Sequence, residues 1–280
     1  MPVTEKKRAL PPGFGSMDAG QARKNAIARS FDAAANNYDA HAEIQRRAAR
    51  GLAARIGALP LPARPTILEI GCGTGFLSAT LLRRFPGARF LFTDLSRAMT
   101  QRCRAKIARR NVGGQFAVMD GELPAVAPAF DLIVSSFAFQ WFLDLPVALA
   151  RLSACLRPGG QLVFATMGAD SLSEWRELHD TAGISFSGLA FPDALDLFGM
   201  AERARLRGNI AEERMRRRHP DAVAFLRELK SLGAGLARPE ALAMNSADLR
   251  RVLRQVNPRR AFTVTYHVLY GTFAAPLTAR

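Results

Sequence analysis

The sequence predicts an α/β architecture: a mostly parallel sheet covered by helices on both faces. Three observations carry this reading. Strand-length apolar runs alternate with helical stretches between about residues 63 and 167. The first run ends in a glycine-dense turn, Gly71-Cys72-Gly73-Thr74-Gly75, and an acid, Asp94, ends the second. Continuous apolar strands joined through helices mark parallel strands buried on both sides.

Residues 1–21 carry Pro11-Pro12-Gly13 and little apolar periodicity, which predicts a mobile tail. From Ala22 to Leu59 the pattern is helical, with Phe31, Ala34 and Tyr38 on one face and Ile44, Ala48, Leu52 and Ile56 at four-residue steps. Pro60, Pro62 and Pro65 end it, so 22–62 forms a helical unit ahead of the sheet. Strands are expected at Thr66–Gly71, Arg89–Asp94, Gln115–Met119, Phe130–Phe137 and Gln161–Met167. Helices are expected at Thr74–Phe85, Arg97–Arg110 and Pro146–Leu156, the last closed by Arg157-Pro158-Gly159-Gly160. Residues 63–167 thus form one half of a domain and 168–280 the other.

In that second half, Ser171 and Glu174 have capping-box spacing and predict a helix through His179. Phe191-Pro192-Asp193 opens another to about Arg205. Asp221–Leu232 is an amphipathic helix stopped by Gly233, and Ala261–Phe273 is a closing strand. Ile210–Arg218 is helical by propensity, although a strand is needed near here to complete the sheet; periodicity leaves both open.

Hydrophobic residues make up 49% of the 280 positions, which excludes a disordered chain. No apolar run approaches the roughly 20 residues that span a bilayer. Lys6, Lys7 and Arg8 are followed by no apolar segment of the secretory kind. Three cysteines at wide spacing give neither a disulfide framework nor a zinc signature, which predicts a cytoplasmic, reducing compartment and no metal site. The formal charge of +15 suits nucleic acid or an acidic protein partner.

Leu68-Glu69-Ile70-Gly71-Cys72-Gly73-Thr74-Gly75 carries the chemistry. Glycines at 71, 73 and 75 let the chain turn tightly and approach a ligand without Cβ atoms in the way. Asp94 follows at about twenty residues, where an acid accepts hydrogen bonds from ribose hydroxyls. A nicotinamide dehydrogenase would want Gly-x-Gly-x-x-Gly, which Gly71, Gly73 and Phe76 do not supply.

Together with Asp94-Leu95-Ser96, Asp120 after the third strand and Leu156-Arg157-Pro158-Gly159-Gly160, this segment resembles the motifs of class I S-adenosylmethionine-dependent methyltransferases. The resemblance implies a Rossmann-like fold, a mostly parallel seven-stranded sheet with an N-terminal helical lid and a helical insertion near the C-terminus. It implies S-adenosylmethionine as cofactor, held by Glu69, Gly71, Gly73, Gly75, Asp94, Leu95, Asp120, Gly121 and Ser135. The glycine loop would lie against the methionine moiety, Asp94 would hold the ribose, and Asp120-Gly121 would flank the adenine.

Four further segments narrow the family. Phe31 to Gln45, with Tyr38 and His41, resembles the opening helix of the malonyl-acyl-carrier-protein O-methyltransferases of biotin synthesis. So do Ser136 to Trp141, Leu229-Lys230-Ser231-Leu232-Gly233-Ala234, and Thr265-Tyr266-His267-Val268-Leu269-Tyr270-Gly271. In that family a free malonyl carboxylate becomes a methyl ester. A carboxylate of pKa roughly 4 is already ionised at neutral pH, so positioning by neutral donors suffices. Tyr38, His41 and Gln140 are donors of that kind and are the candidate catalytic residues, with Trp141 beside the substrate. Trp175 and His267 read as structural.

The resemblance also implies an acidic acyl carrier protein as partner, met by Arg214, Arg216, Arg217 and Lys230 within the arginine-rich stretch and the helix after it. Aromatic residues interleave poorly with these arginines and no binding motif appears, which argues against nucleic acid. Two other readings share the cofactor motif: a methyltransferase for small free carboxylates of the trans-aconitate type, and an S-adenosylmethionine-binding assembly factor of a respiratory complex.

Overall fold

The computed structural model describes residues 14–109, 113–235, 244–256 and 260–277, with side chains from residue 19 onward. Its strands are β1 (Thr66–Ile70), β2 (Arg89–Asp94), β3 (Gln115–Val118), β4 (Phe130–Ser136), β5 (Leu156–Met167), β6 (Arg207–His219) and β7 (Phe262–Ala274). They form one sheet in the order β3-β2-β1-β4-β5-β7-β6. β1 to β5 pair in parallel, and β7 runs antiparallel to both β5 and β6.

Parallel neighbours need crossovers, which α4 (Phe76–Arg84), α5 (Arg97–Ala108) and α6 (Leu145–Cys155) supply. On β1, Ile67 packs into the core on one face of the sheet and Leu68 into the core on the other. This two-residue alternation with both sides buried is why the strand reads as one apolar run. The chain leaves β1 towards β2 on one side and returns to β4 on the other. The carboxyl ends of β1 and β4 therefore border a crevice at a topological switch point.

Ahead of the sheet lie α1 (Phe14–Ala34), α2 (Tyr38–His41) and α3 (Glu43–Ile56). The first of these already covers 14–21, within the expected tail; residues 1–13 lie outside the described residues. The stretch left open between helix and strand is β6. Its register with β7 runs unbroken from Arg207↔Ala274 to His219↔Phe262, so cross-strand pairing overrides the helical propensity of Glu, Arg and Met.

The second half also holds α7 (Ser173–Ala182), α8 (Ala194–Arg203), α9 (Ala222–Ser231) and α10 (Ser246–Leu253). Asp193 and Asp221 cap α8 and α9 by accepting from Asp196 and Ala224 backbone N–H groups, each at 2.7 Å. The capping box expected at Ser171 does not form. The Ser171 hydroxyl instead exchanges hydrogen bonds with the His267 backbone, and Glu174 accepts from Thr265. These bonds tie the start of α7 to β7, which is a stronger demand than a local cap. β5 begins at Leu156 rather than Gln161, and the Pro158-Gly159-Gly160 turn is taken up as a register shift against β4. Among the described residues no helix is long and apolar enough to cross a membrane.

Candidate functional site

The crevice at the end of β1 is a cavity of about 100 Å³. Glu69, Gly71, Gly73, Asp94, Leu95, Asp120 and Gly121 line it, which brings together most of the residues expected there. Gly71 and Gly73 adopt φ of 69° and 53°, where a side chain would be strained. A Cβ on Gly71 would also lie 2.5 Å from that of Ala138, whereas at Gly73 nothing lies within 4 Å. Asp94 accepts from the Gly73 N–H through Oδ2 and from the Ser96 N–H through Oδ1, both at 2.8 Å. Burial raises its pKa to about 6, against the pull of those two backbone donors. Glu69 is buried deeper still, one carboxylate oxygen has no partner, and its pKa is pushed well above the usual range.

Ser135 does not belong to this set. Its side chain is fully buried within β4 without a partner, and the neighbouring Ser136 lines the cavity instead. Successive strand residues point to opposite faces, so a one-residue error removes the hydroxyl from the crevice. Gly75 lies outside the lining as well; it sits at φ 89° against Cys103 and turns the loop into α4.

The helices ahead of the sheet close over the crevice. Lys24, Ile27 and Phe31 recur on one face of α1 and all line the cavity. Lys24 is 6% exposed and pairs with Asp120 at 3.2 Å and with Glu122. Glu122 in turn accepts from the Leu143 and Asp144 N–H groups at 2.7 Å each. Asp32 accepts from the Ser96 hydroxyl and the Ala98 N–H, and Asp39 from Thr74 and Lys106. Sequence reasoning missed Lys24 and Glu122, although the spacing of Lys24 to Ile27 and Phe31 was the available signal.

A second cavity of about 490 Å³ adjoins the first, lined by apolar groups of α7, α9 and α10 and the 186–191 loop. Phe31, Tyr38, Gln45, Phe137 and Trp141 line both and so form the wall between them. Phe137 holds φ 59°, a strained value for a non-glycine residue and one that concentrates at functional sites. Burial and the nearby Asp94 and Asp39 charges push the Tyr38 phenol upward, so it remains a protonated donor. The Gln45 Oε1 is buried with no partner. Gln140 lines the second cavity, and the Thr166 hydroxyl donates to its Oε1 at 3.3 Å, which turns the NH₂ group free.

His41 lines neither cavity. α2 stops at Ala42, with φ −89° and ψ 49°, so helical spacing from Tyr38 does not extend through His41 into α3. The arginines also part company. Arg217 is held between Glu43 and Glu228, and Arg214 pairs with Asp170 at 2.6 Å. Arg214 and Arg216 share the β6 face of Ile210, whereas Met215 and Arg217 face α9. Lys230 is exposed on α9 and lines the second cavity.

Residues 68–162 match a family model described as a methyltransferase domain. The fold is similar to YcgJ protein from Bacillus subtilis, with a TM-score of 0.60 and 12% identity over 81% of this chain and 98% of that one. A geranyl diphosphate methyltransferase in complex with SAM matches at a TM-score of 0.52 and 14% identity, over 81% and 84%. In sequence, the chain is 42% identical to a malonyl-[acyl-carrier protein] O-methyltransferase of Magnetococcus marinus over 90% of this chain and 93% of that one. A bifunctional biotin biosynthesis protein BioCD of Bordetella avium is also 42% identical, with 89% of this chain matching 52% of its length. A malonyl-[acyl-carrier protein] O-methyltransferase of Halorhodospira halophila is 33% identical over 91% and 88%. With such likeness along nearly its whole length, and with a methyltransferase sheet order and glycine crevice to match, this chain belongs to the malonyl-[acyl-carrier protein] O-methyltransferase family.

Proposed function

We propose that this protein transfers a methyl group from S-adenosylmethionine to the free carboxylate of a malonyl thioester on an acidic acyl carrier protein, giving the methyl ester used in biotin synthesis. One observation carries the reading: two adjoining cavities share a wall of Tyr38, Gln45, Phe137 and Trp141. One is polar at its ribose end, the other is apolar and large enough for an acyl arm.

The crevice suits the cofactor. Glu69 offers a buried carboxylate oxygen without a partner, which a cationic group of the ligand would satisfy, and Gly73 faces open space. When bound, S-adenosylmethionine supplies an electrophilic methyl on a sulfonium. Transfer of that methyl to an already ionised carboxylate would release the neutral thioether and require no proton to be taken up by the protein. This chain's residues therefore position rather than titrate. Tyr38, Gln45 and Gln140 are neutral donors, and the shared wall carries no lysine or arginine that would over-stabilise the ground-state carboxylate. Apolar lining excludes water from the reacting centre.

For the carrier, we take Lys230 at the rim of the second cavity as the docking contact, in preference to Arg217 and Arg214 with their internal partners. Three buried free cysteines fit a reducing, cytoplasmic setting. The test is to incubate the protein with S-adenosylmethionine and malonyl-carrier protein and to read the product by intact mass. One added methyl, sensitive to esterase, is expected; an unchanged mass refutes the proposal.

A further inference from the structure

His179 of α7 lines the second cavity but not the wall shared with the first. Its ring is 1% exposed and meets Trp175 and Phe186 edge-on, with centroids 5.2 and 5.4 Å apart. Neither ring nitrogen makes a hydrogen bond of good geometry in the protein, although the Ile184 and Ser185 backbone lies close enough to act on the ring. Burial pushes its pKa below the usual value, with the nearby Ile184 and Ser185 backbone opposing, so the imidazole is neutral at physiological pH. A neutral imidazole presents one N–H donor and one bare acceptor nitrogen. Leaving both idle among aromatic rings weakens the fold, and a phenylalanine of similar shape would not incur that cost.

Of the other polar groups lining this cavity, Tyr38, Gln45 and Gln140 stand by the methyl-transfer wall and Lys230 at the exposed rim, while Ser187 and Tyr266 line it with His179. His179 is buried and lies outside the shared wall, so it suits a part of the ligand other than the reacting carboxylate. In a malonyl thioester, the groups beyond the reacting carboxylate are the thioester carbonyl and the first amide of the arm. Both are neutral polar groups that must find partners once buried.

We propose that His179 hydrogen-bonds the thioester or amide of the acyl arm and so selects arm-bearing malonyl thioesters over small free acids. This rests on the malonyl-thioester reading above. The full-length protein and the variants His179→Phe and His179→Gln are assayed with malonyl-coenzyme A, which has the arm, and with monoethyl malonate, which has none. His179→Phe should raise KM for malonyl-coenzyme A by about tenfold, the loss of one buried hydrogen bond. Its kcat and its S-adenosylmethionine affinity should hold, as should KM for monoethyl malonate. His179→Gln, which keeps a donor and an acceptor, should recover most of the affinity. Tm of His179→Phe should equal or exceed that of the native protein. An unchanged KM for malonyl-coenzyme A, or an equal loss with both substrates, overturns the inference and makes His179 a packing residue. A native protein inactive on malonyl-coenzyme A and malonyl-carrier protein alike overturns the proposed function and this inference together.

Discussion

Asp94 shows how much one carboxylate can depend on its backbone. Two N–H groups hold it in place, yet burial still lifts its pKa to about 6, above the ordinary aspartate value of 3.8. The native state therefore binds this proton more tightly than the unfolded chain, and the stability it contributes is lost as pH rises through about 6. Ligand hydroxyls favour the ionised form, so cofactor affinity should run the other way. It should be flat above pH 7 and weaken as pH falls through about 6, with protons released on binding, as calorimetry in two buffers of different ionisation enthalpy would report. Asp94→Ala should cost at least about tenfold in affinity, the worth of a charge-assisted hydrogen bond, and abolish this pH dependence. Tyr38 and His41 divide similarly. Tyr38→Phe should lower kcat by roughly 10- to 100-fold through loss of a donor to a charged group. His41→Asn should leave turnover near native; its complete loss in a folded variant would return His41 to the site. Asp94, Asp120 and the glycine loop were legible because a strand–turn–helix fixes their positions through sequence spacing alone. His41 and Ser135 were not, because a helix break at Ala42 and the alternation of a strand are matters of backbone angle.

At the scale of elements, α1 behaves as a strap. Ser30 donates to the Gly233 carbonyl, Phe31 meets Trp141 edge-on at 5.3 Å, and Asp32 caps towards α5. Lys24 fastens the strap to the loop after β3 through Asp120 and Glu122. Burial lowers the Lys24 pKa, and the charge and hydrogen bond of Asp120 oppose this. Lys24→Met should strand the two carboxylates, cost on the order of 3–5 kcal/mol and weaken cofactor binding. Thermal denaturation and limited proteolysis within α1 would show it; an unchanged Tm and cleavage pattern would mean the strap is held by its other contacts alone. The parallel half of the sheet could be read from apolar runs. β6 could not, since its identity depends on β7, more than forty residues later in the chain.

For the molecule as a whole, the formal +15 is already net of the acids, so internal ion pairs do not lower it; they decide which cations are left to meet a partner. Arg157, Arg214 and Arg217 answer Asp131, Asp170, Glu43 and Glu228 within the fold. Lys230→Glu should therefore raise KM for malonyl-carrier protein and flatten its rise with salt, since exposed charge acts over a Debye length of roughly 8 Å at physiological ionic strength. Arg217→Glu should instead lower Tm, measurable without any substrate. The sheet order has a consequence for synthesis. β7 comes after β6 in the chain yet lies between it and β5, with both neighbours antiparallel to it. As the chain leaves the ribosome, β1 to β5 can zip in succession, while β6 must wait with both edges bare until β7 arrives. The parallel half can thus form during translation, but the wall of β7 that carries Tyr266 into the second cavity is completed only afterwards. A newly made molecule would gain its cofactor crevice before its acyl pocket.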